Sequence, residues 1–291
     1  YGGPEVVELA EVPKPVPTDD EVLVRIQATT VSSGDWRVRT LHVPRGFGPM
    51  ARLALGITRP RQPILGTELA GTVERAGRNV TRFKPGDAVF AFPGVRMGCH
   101  AQYRAVAENG PIALKPANLS FDEAATLSFG GTTAMHFLRR AGLGSGETIL
   151  VIGASGAVGA ALVQLARLAG AEVTGVASTA NLAFVPALGA AHVIDYTKRD
   201  FLRETTTYDV IADTVGAHSY TRCRHVLKKG GRLLAIAGGV PDLLAAAWAP
   251  IIGNHKVIAG PSPEPPEDVR ELARLAEAGL IHAMIDRRYE F

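Results

Sequence analysis

The chain has 291 residues, of which 46% are hydrophobic and 20% charged, enough for two domains with a sizeable core. Its net charge of +3 is too small and too scattered to argue for nucleic acid, and its two cysteines, Cys99 and Cys223, give no disulfide framework, which suits a reducing, cytoplasmic compartment. No stretch is long and apolar enough to span a membrane, so neither nucleic acid nor a membrane is expected as a partner.

The opening run Tyr1-Gly2-Gly3-Pro4-Glu5-Val6-Val7 reads as a strand, and residues 1–118 as a whole read as β-rich. In residues 21–27, Val22, Val24 and Ile26 point one way and Arg25 and Gln27 the other, the pattern of a half-buried strand. Residues 41–65 read as irregular, with prolines at 44, 49, 60 and 63 and five arginines from Arg39 to Arg61; a loop that long is usually functional or mobile. Within it, Arg59-Pro60-Arg61 reads as a solvated rim. Lys84-Pro85-Gly86-Asp87 places proline and glycine as a type II turn requires, and feeds a strand over residues 88–92.

The pattern changes near residue 119. Ser120-Phe121-Asp122-Glu123 is a capping box that opens a helix. Strands and helices then alternate, with apolar strands expected at 147–152, 172–176, 192–195, 208–212, 232–237 and 256–259. Six short strands separated by helices predict a doubly wound parallel sheet. A last helix starts at Pro266, carries Val269, Leu272, Leu275 and Ala276 on its apolar face, and stops at Gly279.

Gly153-Ala154-Ser155-Gly156-Ala157-Val158-Gly159 is the most informative segment. It follows the first strand of the alternating half and opens an apolar helix. Strand, glycine turn and helix start, in that order, make a dinucleotide site: the glycines let the backbone approach a pyrophosphate, and the N–H groups and dipole of the helix face it. The spacing is G-x-x-G-x-x-G rather than G-x-G-x-x-G. An acidic residue about 20 positions further on would bind a ribose 2′-hydroxyl and repel a 2′-phosphate. Here that stretch reads Ser178-Thr179-Ala180-Asn181, with no carboxylate, so the expected cofactor is NADPH, with Ser178, Thr179 and Asn181 at the phosphate. Ser178 and Thr179 read equally as a helix N-cap, and Pro186 is expected to kink the helix that follows.

Several segments together resemble the medium-chain dehydrogenase/reductase superfamily, in its zinc-free quinone-reductase branch. They are Tyr1-Gly2-Gly3-Pro4-Glu5-Val6, Leu65-Gly66-Thr67-Glu68-Leu69-Ala70-Gly71, Lys84-Pro85-Gly86-Asp87-Ala88-Val89, Phe129-Gly130-Gly131-Thr132-Thr133-Ala134, the glycine turn, Leu188-Gly189-Ala190-Ala191-His192-Val193-Ile194-Asp195-Tyr196 and Asp213-Thr214-Val215-Gly216. The resemblance implies an α/β protein: a GroES-like β-rich domain over residues 1–118, which carries the substrate side, and a Rossmann domain over 119–285, with the active site in a cleft between them. Members continue past the equivalent of Phe291, so residues 286–291 are read as the start of a segment returning to the first domain. By position it also implies that Thr133 approaches the nicotinamide. Asp213 and Val215 would border the adenosine, and Ala237 would meet the carboxamide. Relatives place arginine or lysine where this chain has Ala180 or Asn181; Tyr196 and Lys198 could partly substitute. A homodimer is compatible with the resemblance.

Zinc members of the superfamily carry a cysteine and a Gly-His-Glu in the first domain, plus a four-cysteine lobe. The corresponding stretches here are Val31-Ser32-Ser33-Gly34-Asp35-Trp36 and Gly66-Thr67-Glu68, without cysteine or histidine, and two cysteines cannot make the lobe. Cys99-His100 lacks a third ligand, so no metal is expected. Without a metal to polarise a carbonyl, conjugated substrates remain: quinones and α,β-unsaturated carbonyls, whose oxyanion needs hydrogen-bond donors. Ser32 and Asp35 are the candidate catalytic residues. Ser32 stands where members often have asparagine and reaches less far, and Asp35 reads as a structural carboxylate more readily than as an acid. Trp36, Phe47, Met50 and Phe129 are candidate apolar walls that core packing would explain as well. A non-catalytic nucleotide-binding protein on the same fold is the alternative.

Overall fold

A computed structural model describes residues 1–290; Phe291, the last residue of the expected return segment, lies outside the described residues. The chain divides into two compact units, one of residues 1–43, 48–132 and 264–291, the other of 44–47 and 133–263. The helices that follow residues 119 and 265 thus belong to the first unit rather than to the second.

The first unit is built on a five-stranded antiparallel sheet. Its strands are β1 (Glu21–Thr29), β2 (Leu69–Ala76), β3 (Ala88–Ala91), β4 (Tyr103–Ala107) and β5 (Ile112–Leu114), in the order β4-β1-β2-β3-β5. Val22, Val24, Leu69, Val73, Val89 and Ile112 are buried together as its core, which follows from the period-2 alternation of β1, where Arg25 and Gln27 stay exposed. The 84–87 turn has Asp87 N–H donating to the Lys84 carbonyl at 3.1 Å, and Gly86 at φ +94° supplies the left-handed position of a type II turn.

Two expectations fail in this unit. The opening residues form a 3-10 turn at Pro4–Val6, because Pro4 fixes φ at the first helical position and offers no N–H to a ladder. Residues 41–65 are not irregular throughout: after α1 (Ser33–Thr40) they contain a second helix, α2 (Gly48–Leu55), whose Met-Ala-Arg-Leu-Ala-Leu run is made of good helix formers. Pro49 stands in its first turn, where proline is tolerated. Next come α3 (Phe121–Ala125), with the Ser120/Glu123 capping box in place, and α4 (Ser128–Ala141), of which residues 128–132 are counted with this unit and the rest with the second.

The second unit holds a six-stranded parallel sheet. It comprises β6 (Thr148–Ile152), α5 (Ala157–Leu168), β7 (Glu172–Ala177), α6 (Phe184–Ala187), β8 (His192–Asp195), β9 (Tyr208–Asp213), α7 (Tyr220–Cys223), β10 (Leu227–Ala235), α8 (Val240–Gly253) and β11 (Lys256–Ala259). The strand order is β11-β10-β9-β6-β7-β8, a doubly wound sheet as the alternation predicts. Strand β10 begins at Leu227, five residues before the expected start, and ends at Ala235 rather than 237. Pro186 does more than kink a helix: α6 is a four-residue remnant preceded by a 3-10 turn at Thr179–Asn181. The last helix, α9 (Pro266–Glu277), buries Val269, Leu272, Leu275 and Ala276, and Gly279 at φ +66° ends it.

Candidate functional site

The parallel sheet changes direction between β6 and β9, which lie side by side although β7 and β8 intervene in the chain. Open α/β sheets bind ligands outside the carboxyl ends of their strands at such a switch point. The turn between β6 and α5 is located there, and its three glycines stand in three different environments. Gly153 adopts φ +81°, which disfavours a side chain, and a Cβ there would strike the Thr214 hydroxyl at 2.6 Å. Gly159 is buried, and a Cβ would come within 2.0 Å of the Gly153 carbonyl oxygen, so it lets helix and strand pack closely. Gly156 is under neither constraint. It is exposed, its φ of −78° suits any residue, and a Cβ would meet only the Gly153 carbonyl, at 3.5 Å.

Gly156 is also the N-cap of α5 and offers no side chain to the first-turn N–H groups. The helix therefore presents Ala157 and Val158, with their N–H groups and the positive end of its dipole, at an open position. That is a cradle a side chain at Gly156 would fill, and it fits a pyrophosphate. Ser155 is half-buried beside it. Ala154 is fully buried and donates its N–H to the Val176 carbonyl at 3.0 Å, so its role is to join β6 to β7.

The ends of the neighbouring strands converge on this turn. A Cβ at Gly153 would strike Val215, and one at Gly216 would lie 2.7 Å from the Ala237 carbonyl. Asp213, buried at the end of β9, accepts the N–H groups of Val215, Gly216 and His218 at 2.9, 2.9 and 2.8 Å. Its carboxylate shapes the loop that carries Val215. Thr133 is half-buried on α4.

Beyond β7, Ser178 accepts a hydrogen bond from Asn181 Nδ2 at 3.2 Å. The Thr179 hydroxyl donates to Asp195 Oδ2 at 2.6 Å, which commits its proton. Asp195 also accepts from the Thr197 hydroxyl and N–H and has Lys198 Nζ at 3.8 Å; the Thr179 hydroxyl leads the causes that hold its carboxyl below the usual range. Asp195 thus ties the Ser178–Asn181 turn to the segment after β8. Tyr196, Lys198, Arg199 and Arg203 line an open groove of about 530 Å³ there. The Asp195 carboxylate stands at the end of β8, one strand beyond the Ser178–Asn181 stretch, and its oxygens are taken by Thr179, Thr197 and Lys198.

In the first unit, Ser32 and Asp35 form a capping box on α1. The Ser32 hydroxyl and N–H both donate to Asp35 Oδ2 at 2.8 Å, and the hydroxyl accepts the Gly34 N–H at 3.1 Å. Asp35 Oδ1 takes the Gly66 N–H at 2.8 Å, so this buried carboxylate is filled by structural donors. A Cβ on Gly34 would be 3.2 Å from the Ser32 hydroxyl and 3.5 Å from the Phe129 ring, which brings those two groups together.

The group that sequence reasoning passed over is Glu68. It is 3% exposed and accepts the Thr30 hydroxyl at 2.6 Å and the Phe129 N–H at 2.7 Å, the latter at the start of α4. Burial pushes its carboxyl up to about 7 against those two donors, with the nearby Asp35 charge adding to the rise. A carboxylate inside the Gly-Thr-Glu segment is visible in the sequence; its burial is not.

Cys99 is wholly buried in the first unit and Cys223 in the second; burial raises both thiols, Cys223 to about 12. His100 Nε2 faces the Thr30 carbonyl at 2.8 Å. Among the described residues, no group of three or more His, Cys, Asp or Glu side chains is placed to hold a metal ion.

A curled antiparallel sheet in one unit and a doubly wound sheet with an open glycine cradle in the other define the architecture of a two-domain dehydrogenase. Residues 18–117 match the alcohol dehydrogenase GroES-like domain and residues 188–291 the zinc-binding dehydrogenase domain. The chain is 35% identical over 250 residues to 2-methylene-furan-3-one reductase of Solanum lycopersicum, a match covering 82% of this chain and 61% of that protein. It is 31% identical over 271 residues to the chloroplastic quinone-oxidoreductase homolog of Spinacia oleracea, covering 88% of this chain and 78% of that one. The quinone oxidoreductase structure from Coxiella burnetii superposes with a TM-score of 0.82 at 26% identity, covering 98% of this chain and 88% of that one. The chain belongs to the medium-chain dehydrogenase/reductase superfamily, whose fold implies a nicotinamide nucleotide.

Proposed function

We propose that the protein is a zinc-independent, NADPH-dependent reductase of quinones or α,β-unsaturated carbonyls. The observation that carries this reading is the open, uncapped start of α5 at Gly156, whose lack of a side chain serves no folding need. Quinone oxidoreductases and an enone reductase among the relatives support the substrate class. NADPH, when bound, supplies the hydride. The first turn of α5 holds the pyrophosphate, with Val215 and Ala237 beside it and Thr133 toward the nicotinamide. Ser178, Asn181, Tyr196 and Lys198 receive the 2′-phosphate, Lys198 lending the cation that Ala180 lacks. Ser32 and Thr67 stand where a zinc member would have ligands, and neither is a zinc ligand of the usual kinds.

A second reading, a nucleotide-binding protein without catalysis, is favoured by one observation. The Ser32 proton and Asp35 Oδ2 are spent inside a capping box and Asp35 Oδ1 on the Gly66 N–H, so neither candidate catalytic group is available as it stands. Steady-state turnover of a panel of quinones and enones, with NADPH and with NADH, separates the two. NADPH-dependent reduction supports the enzyme; tight NADPH binding without turnover on any member supports the second reading.

A further inference from the structure

The segment between Asp35 and Glu68 holds six arginines and neither Asp nor Glu, so it carries +6 in a chain whose net charge is +3, and the remainder is net negative. As sequence, Arg59-Pro60-Arg61 reads as a solvated rim. In the structure it belongs to a folded knob. Gly56, at φ +123°, turns the chain back on α2, and the Arg61 N–H closes the turn on the Leu55 carbonyl at 2.8 Å. Arg52 Nη1 bonds the Ile57 carbonyl at 3.0 Å, and the Tyr1 hydroxyl bonds the Gly56 carbonyl at 2.9 Å.

This knob exposes Met50, Leu53 and Ile57 at 59, 65 and 64%. Beside them runs a groove of about 670 Å³ lined by Gly56, Ile57, Arg59, Pro60, Arg61 and Pro63. Arg52, Arg59 and Arg61 are exposed, and none forms an ion pair among the described residues. Aliphatic side chains left in water next to unpaired guanidinium groups form an amphiphilic surface. We propose that this knob docks on an anionic lipid bilayer, with Met50, Leu53 and Ile57 entering the acyl boundary and Arg59 and Arg61 reaching lipid phosphates. A nucleic acid would satisfy the arginines but strand the aliphatic ridge against phosphates. A bilayer interface accepts both, as it does for interfacial amphipathic helices. The proposal does not depend on the reductase reading.

The test is co-sedimentation of the full chain with vesicles of phosphatidylcholine, alone or with about 30 mol% phosphatidylglycerol. Binding is expected only with the anionic vesicles and is expected to be released by about 0.5 M salt. Each arginine is expected to contribute about fivefold, so Arg59→Gln with Arg61→Gln should weaken binding about 20-fold, with circular dichroism unchanged. Leu53→Ser should weaken it independently. No binding by the parent chain, equal binding to neutral vesicles, or indifference to both sets of variants would each overturn the proposal. So would binding to heparin or duplex DNA that survives Leu53→Ser while vesicle binding is absent.

Discussion

Substitutions at Gly156 and Gly159 should separate ligand recognition from folding inside one turn. At Gly156 the backbone is extended and the space is open, so a side chain adds no strain. Replacing glycine at the N-cap by another apolar residue costs up to ~1 kcal/mol, and the loss of unfolded-state freedom returns about 0.4–1 kcal/mol. Gly156→Val should therefore melt close to the parent, within about 1 kcal/mol. Its isopropyl group would occupy the cradle, and NADPH affinity should fall by about 100-fold or more, roughly 2.7 kcal/mol. Gly159→Ala should show the reverse ordering. Its Cβ would lie 2.0 Å from the Gly153 carbonyl oxygen and 2.8 Å from Ala154 Cα, both backbone atoms that cannot swing away. A cost of about 3 kcal/mol or more is expected, lowering Tm by roughly 6 °C or more. Calorimetric or fluorescence titration with NADPH and NADH, beside thermal melts, reads both effects. A well-folded Gly156→Val protein that binds either cofactor like the parent would refute the cradle. A Gly159→Ala protein as stable as the parent would refute the packing argument.

Three further outcomes are expected. Ala180→Arg, on the exposed turn beyond β7, should tighten NADPH about tenfold by supplying a charge-assisted bond; unchanged or weaker binding in titrations would count against the phosphate assignment. Glu68, moved from an ordinary 4.5 up to about 7, binds more protons folded than unfolded between those values, so its contribution to stability should decline as pH rises from about 4.5 to 7, by up to ~3 kcal/mol. Glu68→Gln should flatten that part of the pH–stability curve, and denaturant titrations giving the same slope in both proteins would show that Glu68 does not titrate there. Purified protein should hold no stoichiometric zinc and keep its activity in chelators; elemental analysis finding zinc lost together with turnover would end the zinc-independent reading.

The parallel sheet was legible because each of its strands is a short apolar run bounded by a turn or a helix, and local pattern suffices for that. The same holds for β1, for the Lys84–Asp87 turn and for the Ser120–Glu123 capping box, where residue types at fixed offsets determine the geometry. Local pattern failed where proline acts at a distance: Pro4 turned an apparent strand into a 3-10 turn, and Pro186 cut a helix down to one turn. It also failed at α2, because prolines at both borders of a helix-forming run look like a loop when counted rather than placed. In the candidate site, the glycine turn was readable but its division of labour was not. Whether a glycine serves φ, packing or open space depends on neighbours such as Thr214 and Val215, some 60 residues away. The Asp195–Thr179 and Glu68–Phe129 bonds were invisible for the same reason, since each joins segments that only the folded sheets bring together.

The two buried cysteines give the molecule a built-in pair of clocks. A thiol that is sealed from solvent and held in its protonated form reacts with a labelling reagent only when the surrounding structure opens. Cys99 belongs to one compact unit and Cys223 to the other. The rate at which each takes up label under native conditions therefore reports the opening of its own unit, with no engineered probe. Mass spectrometry of the two cysteine peptides over time would show whether the units open together or separately. Repeating it with a nicotinamide nucleotide present would show which clock the ligand slows.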